Sequence, residues 1–370
     1  MDFPFDTLRR WPDIDTDDLV AVDAADRLIL DESVTLRADV AATDLVVIGD
    51  AFGALALAGA AALPDGTIRV HQDTLAGERA LAANAARLDL TDRVRSLPLD
   101  RALVEGARVV LLRLPRSLEE LRDVAALIAA HAASDVVVVA GGRLKHMTVT
   151  MNDVLAEHFG RLDVSHARQK SRVLLARDPH DGRDPAPRHA EHDGIVVCAY
   201  GGAFAGTGID IGTRFLLDHL PDELPADGHV VDLACGTGVV ATWLALRHPE
   251  RAVYASDHSS IAVASARATA DANGVGDRVE VVRDEGLGAL PDASAAFIAL
   301  NPPFHSGPAV HTGLATPLFL DAARALRPGG ELWTVWNSAL QYRGELERLV
   351  GPTRQVARNR KFTVTVSTRR

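Results

Sequence analysis

Apolar and polar positions alternate along the chain in a recurring plan. Short β-branched runs end in Gly-rich or Pro-rich loops, and each is followed by an Ala/Leu-rich stretch of helical period. In the second half this predicts strands at 229–233, 251–256, 278–283, 295–300 and 330–336, with helices at 238–247, 259–273 and 315–326. Such β-α-β-α order implies a parallel sheet with helices on both faces. The runs 354–359 and 362–368 are separated only by Arg360-Lys361, too short for a parallel crossover, so they form an antiparallel hairpin. The first half follows the same plan, with strands at 45–49, 67–71, 107–112 and 134–140, helices at 53–62, 75–87 and 117–131, and closing β-runs at 161–166 and 172–176.

The two halves also match in sequence. The segment Asp44–Gly53 lines up with His229–Gly238, and Asp92-Arg93-Val94 with Asp277-Arg278-Val279, both at an offset of 185. The run through Arg113, Pro115 and Arg116 lines up with that through Asn301, Pro303 and Phe304 at 188. Three matches in order indicate a duplicated domain. Between the halves lies 178–194, with three prolines and no apolar periodicity. The expected division is residues 1–180, a linker 181–194 and residues 195–370.

Composition adds limits. With 370 residues, 47% hydrophobic and 24% charged, the chain is an ordinary globular one of about two domains. Two cysteines, Cys198 and Cys235, exclude a disulfide framework or a Cys-rich zinc site. The opening Met1–Asp6 has neither part of a signal peptide, and no apolar run approaches a membrane span, so a cytoplasmic location is expected. Of the net charge of −11, residues 1–50 carry −9 through 13 acids and four arginines. The acidic total therefore does not exclude a nucleic-acid partner. The acidic segment 11–32 is expected to keep one edge soluble.

The chemistry concentrates at strand ends. In Asp232-Leu-Ala-Cys-Gly236-Thr-Gly238 a strand passes into a helix through glycines that let a ligand approach main-chain N–H groups. Asp257 ends the next strand, where an acid can accept from both ribose hydroxyls of an adenosine. The same loop satisfies G-x-G-x-x-A, so a nicotinamide dehydrogenase stays open on this segment alone. Asn301-Pro302-Pro303-Phe304 follows the apolar strand 295–300. Its prolines make a rigid turn without N–H donors, an Asn oxygen and a Pro carbonyl can grip an exocyclic amine, and Phe304 can stack on the ring bearing it.

These motifs resemble the class I S-adenosylmethionine-dependent methyltransferases that methylate amines through Asn-Pro-Pro-Phe/Tyr. The lead-in Phe204–Leu217, Gly141–His146 and Ser165–Val173 is similar to the two-domain ribosomal RNA guanine-N2 methyltransferases. The resemblance implies two tandem Rossmann-like α/β domains, each a mainly parallel sheet with a terminal antiparallel hairpin, the first degenerate. It implies that Asp232, Gly236 and Gly238 hold the cofactor's amino-acid end, with Ala234 and Cys235 in the same loop. Asp257, beside His258, would hold the ribose, and Asp284 would lie near the adenine amine. Asn301, also counted among the cofactor-binding residues, and Pro302 would grip the target amine, with Pro303 shaping the turn and Phe304 stacking. In the first half Arg113, Arg116, Ala51 and Val47 replace Asn301, Phe304, Gly236 and Asp232, so that copy is expected to be inactive.

RNA contact is expected at Arg143, Lys145 and His146, at Arg168 and Lys170, and at Arg358, Arg360 and Lys361. The reading is transfer to guanine N2 in ribosomal RNA or a ribosomal subunit by a monomer, without metal or membrane. The spacing of His258, His305 and His311 fits no common zinc site. Asn-Pro-Pro-Phe leaves adenine N6 or a protein glutamine amide open as targets, and a non-catalytic RNA-binding assembly factor is the remaining rival.

Overall fold

A computed structural model describes residues 3–12, 19–63, 66–303 and 315–370, and the chain divides into two compact units, Met1–Ala186 and Pro187–Arg370. The first unit contains β1 (Leu45–Ile48), β2 (Ile68–His71), β3 (Val94–Ser96), β4 (Val109–Arg113), β5 (Val137–Arg143), β6 (Phe159–Val164) and β7 (Ser171–Pro179). They form one sheet of order β3-β2-β1-β4-β5-β7-β6. The second unit opens with a separate hairpin, β8 (Arg188–His192) and β9 (Ile195–Ala199). Its main sheet holds β10 (His229–Leu233), β11 (Val253–Asp257), β12 (Val279–Arg283), β13 (Ala295–Leu300), β14 (Leu326–Asn337), β15 (Thr353–Arg358) and β16 (Phe362–Thr368), in the order β12-β11-β10-β13-β14-β16-β15.

The two orders are the same topology. In each sheet five strands run parallel, and the closing hairpin enters antiparallel. The central strands β1 and β13 are buried along their whole length, as expected where helices cover both faces. Registers also repeat: Ile48 pairs with His71 and Leu112 in the first sheet, as Leu233 pairs with Ser256 and Leu300 in the second. The residues that follow these strand ends therefore lie in one row. That row is Gly49, Gln72 and Arg113 in the first unit, and Ala234, Asp257 and Asn301 in the second.

Two expectations need correction. The segment 181–194 is not linker throughout, because Arg188–His192 is β8, turned onto β9 by Asp193 and Gly194, both at positive φ (53° and 81°). Asp-Gly is a strong two-residue hairpin signal, hidden here behind prolines and histidines. Helix side chains satisfy the β9 edge: Val196 N donates to Asn273 Oδ1, Cys198 N to Thr269 Oγ1 and Tyr200 N to Ser265 Oγ, each at 3.0 Å. The acidic segment 11–32 does more than solubilise. Its end forms the helix Ala24–Glu32, which buries Ala25, Leu28, Ile29 and Leu30 in the core.

Candidate active site

Asp232, Ala234, Gly236 and Gly238 turn the chain from β10 into the helix Val239–Arg247. Ala234, Gly236 and Gly238 all have positive φ, at 57°, 54° and 74°. The two glycines are required for different reasons. A Cβ on Gly238 would sit 2.8 Å from Ala266 Cβ and 2.9 Å from its Cα, so this glycine lets the loop pack on the helix Ser260–Ala272. A Cβ on Gly236 would meet nothing within 4 Å, leaving open space above the turn. Cys235 is buried, and burial pushes its thiol up, which removes it as a nucleophile.

The acids around this loop are structurally committed but not saturated. Asp232 Oδ2 accepts from Ala241 N at 2.9 Å, and burial, with Asp257 adding, raises its carboxyl to about 7. Asp257 accepts from Gly236 N at 2.9 Å and from Ser259 N at 3.0 Å. An ionised carboxylate offers about four lone-pair sites, so two remain for a vicinal diol. Asp284 Oδ2 accepts from Ala289 N at 3.0 Å, and His258 is exposed beside Asp257. An open glycine turn, an acid with lone pairs to spare for a diol and a buried acid able to meet an ammonium would suit S-adenosylmethionine. These residues fit it.

Asn301 sits one strand away, half-buried, followed by buried Pro302 and exposed Pro303. Its Nδ2 donates to Asp210 Oδ2 at 3.3 Å and to Thr213 Oγ1 at 3.0 Å. Asp210 is the N-cap of the helix Ile211–Leu217, accepting from Gly212 N at 2.8 Å and Thr213 N at 3.3 Å. Asn301 Oδ1 is enclosed without a hydrogen-bond partner among the described residues. A buried acceptor left empty is costly unless something arrives to fill it. Phe304, with His305 and His311, lies outside the described residues.

The first unit carries different residues at the matching positions. Gly53, at positive φ (89°), caps the helix Ala54–Ala62 as Gly238 caps its own. Val47 stands where Asp232 does, but an acid returns three residues on. Asp50 Oδ2 accepts from Leu55 N at 3.0 Å and Ala56 N at 2.8 Å, and Ala56 is the counterpart of Ala241. Burial raises the Asp50 carboxyl to about 7. Gln72 replaces Asp257 and donates to the Asp50 carbonyl. The loop is thus filled by its own side chains. At the position equivalent to Asn301, Arg113 forms ion pairs with Asp23 at 2.7 Å and Asp26 at 2.6 Å. Asp210 and Thr213 lie 187 residues beyond Asp23 and Asp26, and Asp-x-x-x-Arg-x-x-Leu-Asp recurs at 23–31 and 210–218. That repeat was the available signal for Asp210 as a site residue.

The basic residues gather at the same strand ends. Leu144 N donates to Lys170 O at 2.9 Å, bringing Arg143, Lys145 and His146 beside the hairpin turn. Desolvation, then Arg116, Lys145, Arg143 and Arg113, lowers the His146 imidazole, as expected in a positive field. Arg168 is less available than expected, because Asp31 at 3.1 Å and Glu32 at 3.5 Å hold it. In the second unit Ser338 N donates to Lys361 O at 2.9 Å, the same contact as Leu144 to Lys170. Arg358, Arg360 and Lys361 are exposed. Among the described residues no cluster of His, Cys, Asp and Glu could hold a metal, and no helix is long and apolar enough to cross a membrane.

Comparisons with known proteins agree with both halves. Residues 2–180 match the RLMG N-terminal domain family, and residues 194–366 match the methyltransferase small domain family. The chain is 38% identical over 373 residues to the ribosomal RNA large subunit methyltransferase G of Streptomyces avermitilis, covering 96% of this chain and 95% of that one. It is 36% identical over 364 residues to the protein of the same name from Pseudomonas aeruginosa, covering 96% of each. Among solved structures it shares the fold of the T. thermophilus 16S rRNA N2 G1207 methyltransferase in complex with AdoMet and guanosine. The TM-score is 0.75 at 20% identity, covering 94% of this chain and 92% of that one.

Proposed function

The chain belongs to the ribosomal RNA large subunit methyltransferase G family, and from that premise we propose that it transfers a methyl group from S-adenosylmethionine to N2 of a guanine in large-subunit ribosomal RNA. The observation that carries this reading is the enclosed Oδ1 of Asn301, without a partner among the described residues, beside a glycine loop suited to the cofactor.

When bound, S-adenosylmethionine supplies a methyl group on a positive sulfur. Asp232 would meet its amino-acid end, Asp257 the ribose hydroxyls and Asp284 the adenine amine. Guanine N2 is conjugated with its ring and is a weak nucleophile. Asn301 Oδ1 and the Pro302 carbonyl would accept its two N–H bonds, raising electron density on nitrogen and aiming its lone pair. Phe304 would stack on the base. The extra proton leaves after transfer, so no dedicated general base is needed. Most of the acceleration is then orientation and preorganised electrostatics. The target base must be unpaired or flipped to enter.

The first unit would serve as an RNA-docking module. Lys170 with Arg143, Lys145 and His146 would track phosphates there, while Arg358, Arg360 and Lys361 would do so beside the catalytic edge. All the catalytic residues come from one unit of one chain, so a monomer suffices, acting in the cytoplasm where ribosomal RNA is assembled. Calorimetry separates this reading from the dehydrogenase one: S-adenosylmethionine binds and NAD does not. NAD binding without S-adenosylmethionine binding would end it.

A further inference from the structure

We infer that Asp210 is a positioning residue that fixes the orientation of the Asn301 side-chain amide, with Thr213 as its second anchor. The inference rests on the amine-gripping role of Asn301. An amide can present either its oxygen or its NH2 to a neighbour, and the two arrangements have nearly the same shape. Which one faces the target decides the chemistry, because only the oxygen can accept from an amine.

The Asp210 carboxylate settles the choice. It is an acceptor only, and it lies 3.3 Å from Asn301 Nδ2, so the NH2 must face it and the oxygen must face away. Thr213 Oγ1 takes the other amide N–H at 3.0 Å. Both Nδ2 hydrogens are then engaged, and Oδ1 is left enclosed with no partner among the described residues. Asp210 is itself immobilised, since its carboxylate also accepts from Gly212 N and Thr213 N at the start of the helix Ile211–Leu217. Gly212 permits this close approach, because a Cβ there would lie 2.9 Å from Asp210 Oδ2 and 3.2 Å from Phe362 Cε1. The first unit keeps the acid at the equivalent position, where Asp23 holds Arg113 at 2.7 Å. The acid has outlasted the amide it orients.

The test compares wild type, Asp210→Asn, Asn301→Asp and the double variant on unmethylated ribosomal RNA. Melting temperature and S-adenosylmethionine affinity are measured on each protein. Asn caps helices as well as Asp does, so a role confined to capping leaves Asp210→Asn near wild type. Orientation predicts otherwise. The amide introduced by Asp210→Asn can offer its own NH2 to Asn301 Oδ1 and turn that side chain, lowering kcat at least tenfold with KM, melting temperature and cofactor affinity little changed. Asn301→Asp sets two carboxylates against each other and also loses activity. The double variant restores a donor–acceptor pair with a carboxylate oxygen left for the target, so it is more active than Asn301→Asp alone. Thr213→Val, which leaves the Asp210 cap intact, lowers kcat several-fold. Wild-type kcat in Asp210→Asn, or a double variant no better than Asn301→Asp, overturns the inference. An inactive wild type overturns the proposed function instead.

Discussion

Arg113 Nη1 donates to Asp23 Oδ1 at 2.7 Å, across the pair of positions that Asn301 and Asp210 occupy in the second unit. The same clamp has two uses. With Asn it leaves an amide oxygen without a partner among the described residues, and with Arg it closes on itself as an ion pair with two acids. Two replacements, Arg113 for Asn301 and Asp26 for Thr213, thus turn a polar clamp into an ion-paired structural joint.

Arg113→Ala should therefore destabilise the first unit strongly. It would leave Asp23 and Asp26 facing each other with Asp26 buried, and breaking a buried pair from one side costs about 3–5 kcal/mol. Urea denaturation followed by a probe in the first unit measures this. A loss below about 1 kcal/mol would show that the pair is only a surface contact.

Asn301→Ala should lower kcat by about 10²–10³, the usual effect of removing one preorganised polar group from a transition state. Binding of S-adenosylmethionine should stay nearly intact, because the Asn301 side chain is hydrogen-bonded to Asp210 and Thr213 rather than to the glycine loop proposed for the cofactor. Unchanged turnover would show that the amide does not grip the target.

The two loop glycines should respond differently to alanine. Gly238→Ala must displace Ala266 backbone as well as adopt a left-handed conformation, so it should cost several kcal/mol. Gly236→Ala meets no neighbour among the described residues and should cost about 1 kcal/mol, yet its methyl group enters the open space proposed for the cofactor. Melting curves with and without S-adenosylmethionine separate these outcomes.

Cofactor binding should depend on pH through Asp232. Its carboxyl is raised to about 7 by burial, with Asp257 adding to the shift, and an adjacent ammonium favours the ionised form. Affinity should then fall as pH drops through about 7, with proton release on binding below it. For folding without ligand the sign is opposite: the contribution is present below about pH 4 and lost as pH rises through about 7. Asp232→Asn should weaken binding and flatten its pH dependence in calorimetry.

Much of this was legible in the chain, for physical reasons. Gly53 and Gly238 mark strand-to-helix turns that only a positive φ can make, and the apolar run 295–300 announces a buried parallel strand. The compensations were not legible. Asp50 reached the helix start from the loop rather than from the strand end, which an alignment at fixed offset cannot show. Asp23 and Asp26 lie within an acidic run, where partners 87 and 90 residues away leave no local trace. The β8–β9 hairpin was masked by composition, although Asp193-Gly194 carried its turn signal.

Charge reversal at Lys170 and at Lys361 should each weaken ribosomal RNA binding and flatten its salt dependence by about one phosphate contact. The pairing of Leu144 N with Lys170 O and of Ser338 N with Lys361 O makes these the matched lysines of the two hairpins. Filter binding across a salt series tests the claim, and an unaltered slope for both would remove these hairpins from the RNA path.

Labelled methyl transfer reads the proposed activity itself. Ribosomal RNA from a strain lacking this gene is incubated with the protein and methyl-labelled S-adenosylmethionine, then digested to nucleosides. Label is expected in N2-methylguanosine from the large-subunit RNA, and none with Asn301→Ala. Label in another nucleoside, or equal label from the variant, would contradict it.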